Sequence, residues 1–301
     1  MNDSAILTEG LTKFYGSQRG VVELNLEVRP GEVFGFLGPN GAGKTTTIRL
    51  LLDMIRPTNG HAAIFGLDCR RDSREIRRRT GYLPGELSLY ENLTGAELLN
   101  YLGHLRGGVD RKSIERLAGR LDCDLSRPIR TLSQGNKHKV GLIQAFMHKP
   151  DLLILDEPTS GLDPLIQREF YRLIAEVKAE GRAVFLSSHV LPEVERMCDR
   201  VGIIREGQLV AIETVSALKA QALRELEIHF AASVPQEAFA HLAGVRDVTV
   251  ENGVLRCTVV GTVDSIVKAA AQFEVVNVIS HEPSIEEVFL TYYSPGGNHV
   301  E

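Results

Sequence analysis

Two apolar periods organise the chain. Val22, Leu24, Leu26 and Val28 alternate with Glu23, Asn25 and Glu27, and this period of two predicts a half-buried strand. Pro30-Gly31 marks a turn, after which residues 32–37 read as a buried strand that runs into a glycine-rich loop. Residues 44–55 predict a helix stopped by Pro57 and Gly60. Residues 94–145 read as mainly helical, with charged faces. The run Leu152 to Leu155, set between Pro150-Asp151 and a pair of acids, predicts a short buried strand. Apolar side chains at 165, 166, 170, 173, 174 and 177 follow helical spacing. Residues 183–186 predict another buried strand, and 201–204 with 208–212 a hairpin around Glu206-Gly207. Strands alternating with helices imply an α/β sheet.

The tail has its own rhythm. Residues 224–230 are strand-like and 235–242 helical; 245–250 and 254–259 are strands joined by Glu251-Asn252-Gly253; 263–273 is helical and 275–280 a strand. The order β-α-β-β-α-β predicts a small α+β domain of the split βαβ, ferredoxin-like plan. A last helix, 284–293, opens with Ser284 and Glu287 in capping-box spacing.

Charge sharpens this division. The 301 residues carry a formal charge of −5. Residues 1–215 hold 29 basic and 28 acidic side chains, whereas 216–301 hold 5 and 11. A break of this size predicts domains at 1–215 and 216–301. A near-neutral first part and an acidic second give no electrostatic footing for nucleic acid. The local cluster Arg70, Arg71, Arg74, Arg77, Arg78 and Arg79 reads as a solvated helix face. The longest unbroken apolar run is four residues, far short of the roughly 20 of a membrane-spanning helix. The N-terminus lacks the basic start and apolar stretch of a secretory signal, so a cytoplasmic protein is expected. Cys69, Cys123, Cys198 and Cys257 are too far apart in sequence for a CxxC pair or a metal knuckle and read as free thiols.

The chemistry begins at Gly38, Pro39, Asn40, Gly41, Ala42, Gly43, Lys44, Thr45 and Thr46, which fit G-x-x-x-x-G-K-[ST]. Glycines let the backbone curl so that successive N–H groups face one anion, and the following helix adds its positive end. Lys44 is suited to reach terminal phosphates, and the Thr45 hydroxyl to ligate Mg2+. The run 152–155 ends in Asp156-Glu157-Pro158. In a chain with a phosphate loop, a carboxylate at a buried strand end belongs near Mg2+, which makes Asp156 the metal partner. Alternation along a strand turns Glu157 elsewhere, where it can polarise an attacking water as general base. Ser160-Gly161-Leu162-Asp163 follows, and Ser187-Ser188-His189 closes the strand 183–186. His189 thus sits where ligand loops gather in a parallel sheet, near the expected γ-phosphate.

With Leu132-Ser133-Gln134-Gly135-Asn136 placed 20 positions before Asp156, residues 1–215 resemble the nucleotide-binding subunit of an ATP-binding-cassette (ABC) transporter. The resemblance implies a P-loop NTPase cassette with a helical subdomain at about 81–145. It implies that Tyr15 stacks on adenine, that Ser133 and Gly135 contact the γ-phosphate of ATP held by an opposite subunit, and that Asp163 lies at the dimer seam. It implies that His189 holds the γ-phosphate and the attacking water. Two ATP molecules would lie between two subunits of a head-to-tail homodimer, since neither half-site is complete alone. The motor would drive a separate transmembrane permease from the inner face of the cell membrane. The pattern Gly81-Tyr82-Leu83-Pro84 and the tail 287–293 look most like the drug-exporter-type branch, implying export and an accessory C-terminal domain.

Two departures stand out. The family's Leu-Ser-Gly-Gly-Gln has Gln134 and Asn136 here at its third and fifth places. Gly85 stands where the family carries a Mg2+-binding glutamine, so that either Glu86 substitutes or water completes the metal shell. Two rivals are weighed against the transporter reading. A soluble cassette ATPase acting on ribosomes or DNA typically has two cassettes or a long coiled-coil insertion, and neither is present. A module that binds ATP without turnover would have no use for Glu157 and His189.

Overall fold

The computed structural model describes residues 4–221 and 224–280. The helix expected over 284–293 lies outside these residues. The chain divides into two compact units, Met1–Ile212 and Glu213–Glu301.

The first unit is built on a six-stranded sheet in the order Gln208–Thr214, Arg200–Arg205, Val33–Leu37, Ala183–Ser188, Leu152–Asp156, Thr80–Leu83. The last five run parallel. Strands Val33–Leu37, Leu152–Asp156 and Ala183–Ser188 are buried along their whole length. Burial on both faces is why they read as continuous apolar runs rather than alternating ones. A four-stranded antiparallel sheet, Gln18–Val28, Ile6–Tyr15, Asn59–Ile64, Leu67–Asp68, shares its core. Ile6, Leu11, Val21 and Leu24 cluster there with Phe34, Phe36, Ile154 and Phe185.

The sequence pattern conceals strand Ile6–Tyr15, because two of its buried positions are threonines. Thr8 Oγ1 donates to Leu24 O and accepts from Leu26 N–H, both at 2.9 Å. Thr12 Oγ1 accepts from Glu23 N–H at 3.0 Å. Each hydroxyl fills a gap in an irregular ladder, so burying it carries little desolvation penalty. The helix expected over 44–55 ends at Leu51. Asp53 turns left-handed at φ 54, and the N–H groups of Met54 and Ile55 fold back onto Arg49 O. This closure satisfies the helix's last carbonyls before Pro57 is reached. Between the strands, Gly95–Leu105, Arg111–Arg120 and Gln134–Phe146 are helices capped by Thr94, Asp110 and Ser133.

In the second unit, four antiparallel strands lie in the order Val245–Glu251, Val254–Val259, Arg224–Phe230, Val275–Ser280. Helices Glu237–Ala240 and Asp264–Ala270 complete the split βαβ plan, both shorter than the periodicity suggests. Phe230, Phe239 and Phe273 form its aromatic centre with ring centroids 5.8–5.9 Å apart. Among the described residues, one apolar cluster draws on residues 5–212 and another on residues 226–273. A chain ending at residue 215 is therefore expected to keep a cooperatively folded first unit. Circular dichroism through thermal unfolding checks this, and a broad, non-cooperative melt would refute the division.

Candidate active site

Three strand ends meet at one edge of the parallel sheet. Leu37 pairs with Ser188, and Asp156 with Ser187. The carboxyl ends of such strands are where open α/β sheets bind ligands. Helix Lys44–Leu51 starts here without a side-chain cap, from Gly43 at φ 112. That angle suits only glycine, and a Cβ at Gly43 would also press on Gly20 O at 2.8 Å. The helix's first turn of N–H groups has no intrahelical acceptor, which favours an anion at this end.

Lys44 is buried, and its Nζ donates to Gly38 O at 2.5 Å and Pro39 O at 3.2 Å. Thr45 Oγ1 donates to Asp156 Oδ2 at 2.8 Å. Ser187 Oγ donates to the other oxygen, Oδ1, so the buried Asp156 carboxylate is held from both sides. Ser187 Oγ also accepts the Glu157 N–H at 3.1 Å. Glu157 Oε2 lies 2.9 Å from His189 Nδ1, an arrangement in which the imidazole donates and leaves Nε2 free to face a ligand. Glu157 Oε1 is buried, accepts no hydrogen bond among the described residues, and has Lys44 Nζ 3.3 Å away.

Simple alternation would separate the two carboxylates. Instead the strand stops at Asp156, and Glu157 takes a left-handed backbone at φ 50. Both acids therefore line the same cleft, of about 550 Å³. A positive φ costs a non-glycine residue conformational energy, which the two bonds from Glu157 N–H to Ser187 help to offset.

Tyr15, Pro39, Asn40, Gly41, Gly43, Lys44, Thr45 and Thr46 line this cleft with the two acids; Gly38 and Ala42 lie in the loop between them. Tyr15 is 44% exposed, with Lys13 Nζ 5.2 Å from its ring centre. Burial, and secondarily the charge of Asp156, pushes the Tyr82 phenol up to about 12, so this cleft wall stays neutral. Gly85 passes beside the acid: a Cβ there would stand 3.4 Å from Asp156 Oδ2. Glu86, one residue on, lines the cleft.

Ser133, Gly135, Asp163 and His189 do not line it; His189 meets it through its bond to Glu157. Ser133 caps helix Gln134–Phe146 through Asn136 N–H at 3.3 Å. Asp163 caps Pro164–Ala179, accepting from Leu165 and Ile166 N–H at 3.0 Å. Ser187 is the functional neighbour missed by the sequence reading; its one signal was a hydroxyl at the end of an apolar strand, level with Asp156.

The arrangement fits Mg2+. Among the described residues no group of three or more His, Cys, Asp or Glu forms a cage of its own. Mg2+ instead favours one or two carboxylates together with substrate phosphates. One hydroxyl and one anchored carboxylate beside an anion-ready helix supply that donor set.

The chain is similar to known proteins. The family model described as ABC transporter matches residues 21–160. The bacitracin transport ATP-binding protein of Bacillus licheniformis is 42% identical over 226 residues, 74% of each chain. The linearmycin resistance ATP-binding protein of Bacillus subtilis is 33% identical over 94% of this chain and 96% of its own. A solved ATP-binding subunit of an ABC transporter superposes with a TM-score of 0.66 at 32% identity, over 72% of this chain and 92% of its own. A phosphate loop, an anchored acid and a second acid paired to histidine, in a chain so closely related to these subunits, show that this protein belongs to the ABC transporter family as an ATP-binding subunit.

Proposed function

We propose that the chain hydrolyses ATP at a composite site completed by a second copy, and so drives a separate membrane permease of the exporting kind. The observation that carries this reading is the cleft itself, where Lys44, the Thr45–Asp156 pair and Glu157 converge beside an uncapped helix N-terminus, with His189 bonded to Glu157 from outside the lining.

The loop 38–46 cradles the ATP phosphates with its backbone N–H groups, and Lys44 neutralises the terminal phosphates. Tyr15 stacks on the adenine; its exposed ring stands at the cleft wall. Thr45 and Asp156 would hold Mg2+, which when bound would neutralise phosphate charge. Glu157 accepts the proton of the attacking water at Oε1, the oxygen with no hydrogen-bond donor of its own. His189 fixes Oε2 and directs its second nitrogen at the γ-phosphate.

In this reading Ser133 and Gly135 do not line their own cleft because they serve the partner's nucleotide, with Asp163 at the seam. A γ-phosphate bound by two subunits favours the closed dimer, and its hydrolysis removes that preference. No helix among the described residues is long and apolar enough to cross a membrane; in this reading the membrane path is supplied by the permease. The chain then works on the cytoplasmic face, held there by the permease. The names of the bacitracin and linearmycin relatives support an exported, drug-like cargo.

Reconstitution with a multi-span membrane protein that copurifies with the chain tests this reading. ATP turnover is expected to rise on assembly in a bilayer. An absence of turnover both alone and assembled would refute it.

A further inference from the structure

A buried bond joins the signature helix to the segment that carries Glu157. His138 lies one turn into helix Gln134–Phe146 and is buried. Its Nε2 lies 2.8 Å from Pro158 O. A carbonyl can only accept, so Nε2 carries the proton and donates it. Pro158 directly follows Glu157.

The segment beyond Glu157 is internally braced. Ser160 N–H bonds to Glu157 O and Leu162 N–H to Thr159 O, each at 3.1 Å. Thr159 Oγ1 donates to Glu193 Oε2 at 2.5 Å. The two backbone bonds tie residues 157–162 to one another, and the Thr159 bond ties them to helix Leu191–Met197. The signature touches the same segment at a second point: a Cβ on Gly135 would meet Gly161 O at 2.9 Å, so only glycine lets the two backbones approach this closely. A shift of the helix that starts at Ser133 is thereby passed to Glu157, through His138 and through the Gly135–Gly161 contact.

We propose that His138 is a positioning residue that couples the two nucleotide sites of the dimer. This rests on the composite-site reading above. Ser133 and Gly135 of one subunit sense the ATP held by its partner; His138 transmits that contact to Glu157, which serves the subunit's own ATP. Each site is then set for hydrolysis by occupancy of the other. This is an energetic link between two sites, and its physical warrant is a measured coupling rather than proximity.

The experiment compares the full-length chain with His138→Ala, His138→Asn and His138→Gln in steady-state hydrolysis across an ATP titration. Glutamine carries an amide N–H at about the reach of Nε2, whereas asparagine is too short. The wild type is expected to show a Hill coefficient above one. His138→Ala and His138→Asn are expected to lower kcat about five- to tenfold, the scale of one lost buried hydrogen bond. Their Hill coefficient should fall to one with KM unchanged, while His138→Gln restores both kcat and the Hill coefficient.

A merely structural role would lower the melting temperature without moving the Hill coefficient. The proposal is overturned if all three variants keep the wild-type Hill coefficient, or if His138→Gln loses as much as His138→Ala. It is also overturned if the wild type itself shows a coefficient of one, or if both short variants fail to fold, since the bond would then be a fold element alone. Failure of the underlying reading is distinguishable by the sedimentation mass of the Glu157→Gln chain with ATP bound: a monomer overturns both, whereas a dimer together with a wild-type Hill coefficient of one overturns the coupling alone.

Discussion

Replacing Glu157 by Gln is expected to cut ATP turnover by about 100- to 10,000-fold while ATP still binds, the range for losing a positioned general base. The substitution preserves shape and takes away only basicity. The amide oxygen of the new side chain can accept the His189 bond now made to Glu157 Oε2 at 2.9 Å. The N–H that fixes the left-handed turn is backbone and is untouched, with its bond to Ser187 Oγ at 3.1 Å. Asp156 keeps both of its anchors, Thr45 and Ser187, so the metal-binding pair is unaltered. The loss therefore falls on proton acceptance. Phosphate release under saturating ATP checks the rate, and equilibrium retention of labelled ATP checks the binding. Turnover within about threefold of wild type would remove Glu157 from the role of base.

Lys44→Ala is expected to weaken ATP binding by about 10- to 150-fold, since a hydrogen bond to a charged group contributes roughly 1.5–3 kcal/mol. Lys44 is 6% exposed, so its stem is fixed before ligand arrives and little side-chain entropy is lost on contact. Removing it also frees the two loop carbonyls that it ties, Gly38 O and Pro39 O. The loop is then less well arranged around the phosphates. Glu157 loses a cation 3.3 Å from Oε1, but that side chain is 22% exposed and can hydrate, so the fold is expected to persist. Titration with a fluorescent ATP analogue measures the effect. Unchanged affinity would contradict the phosphate role of Lys44.

The chemistry of this chain was most legible where it is contiguous. Residues 38–46 are contiguous in sequence and lead directly into the uncapped helix at the cleft, so the motif and the geometry coincide. Asp156 was legible as an acid at the end of an apolar run. The orientation of Glu157 was not, because it depends on one left-handed residue rather than on strand pleat. Strand Ile6–Tyr15 was hidden by Thr8 and Thr12, polar residues that satisfy their hydroxyls inside the sheet. Ser187 and His138 act through bonds to residues 31 and 20 positions away, and no local pattern announces such contacts. Ser133 and Gly135 were assigned through family resemblance alone, and in the fold they stand outside the cleft that they are proposed to serve in a second copy.

The composite site is tested most directly by the sedimentation mass of the Glu157→Gln chain with ATP and Mg2+, compared with the same chain in ADP. A doubling of the 33.2 kDa monomer mass in ATP, reversed in ADP, is the expected result. A monomer in both nucleotides, at concentrations where ATP is shown to be bound, would contradict a site shared between two copies.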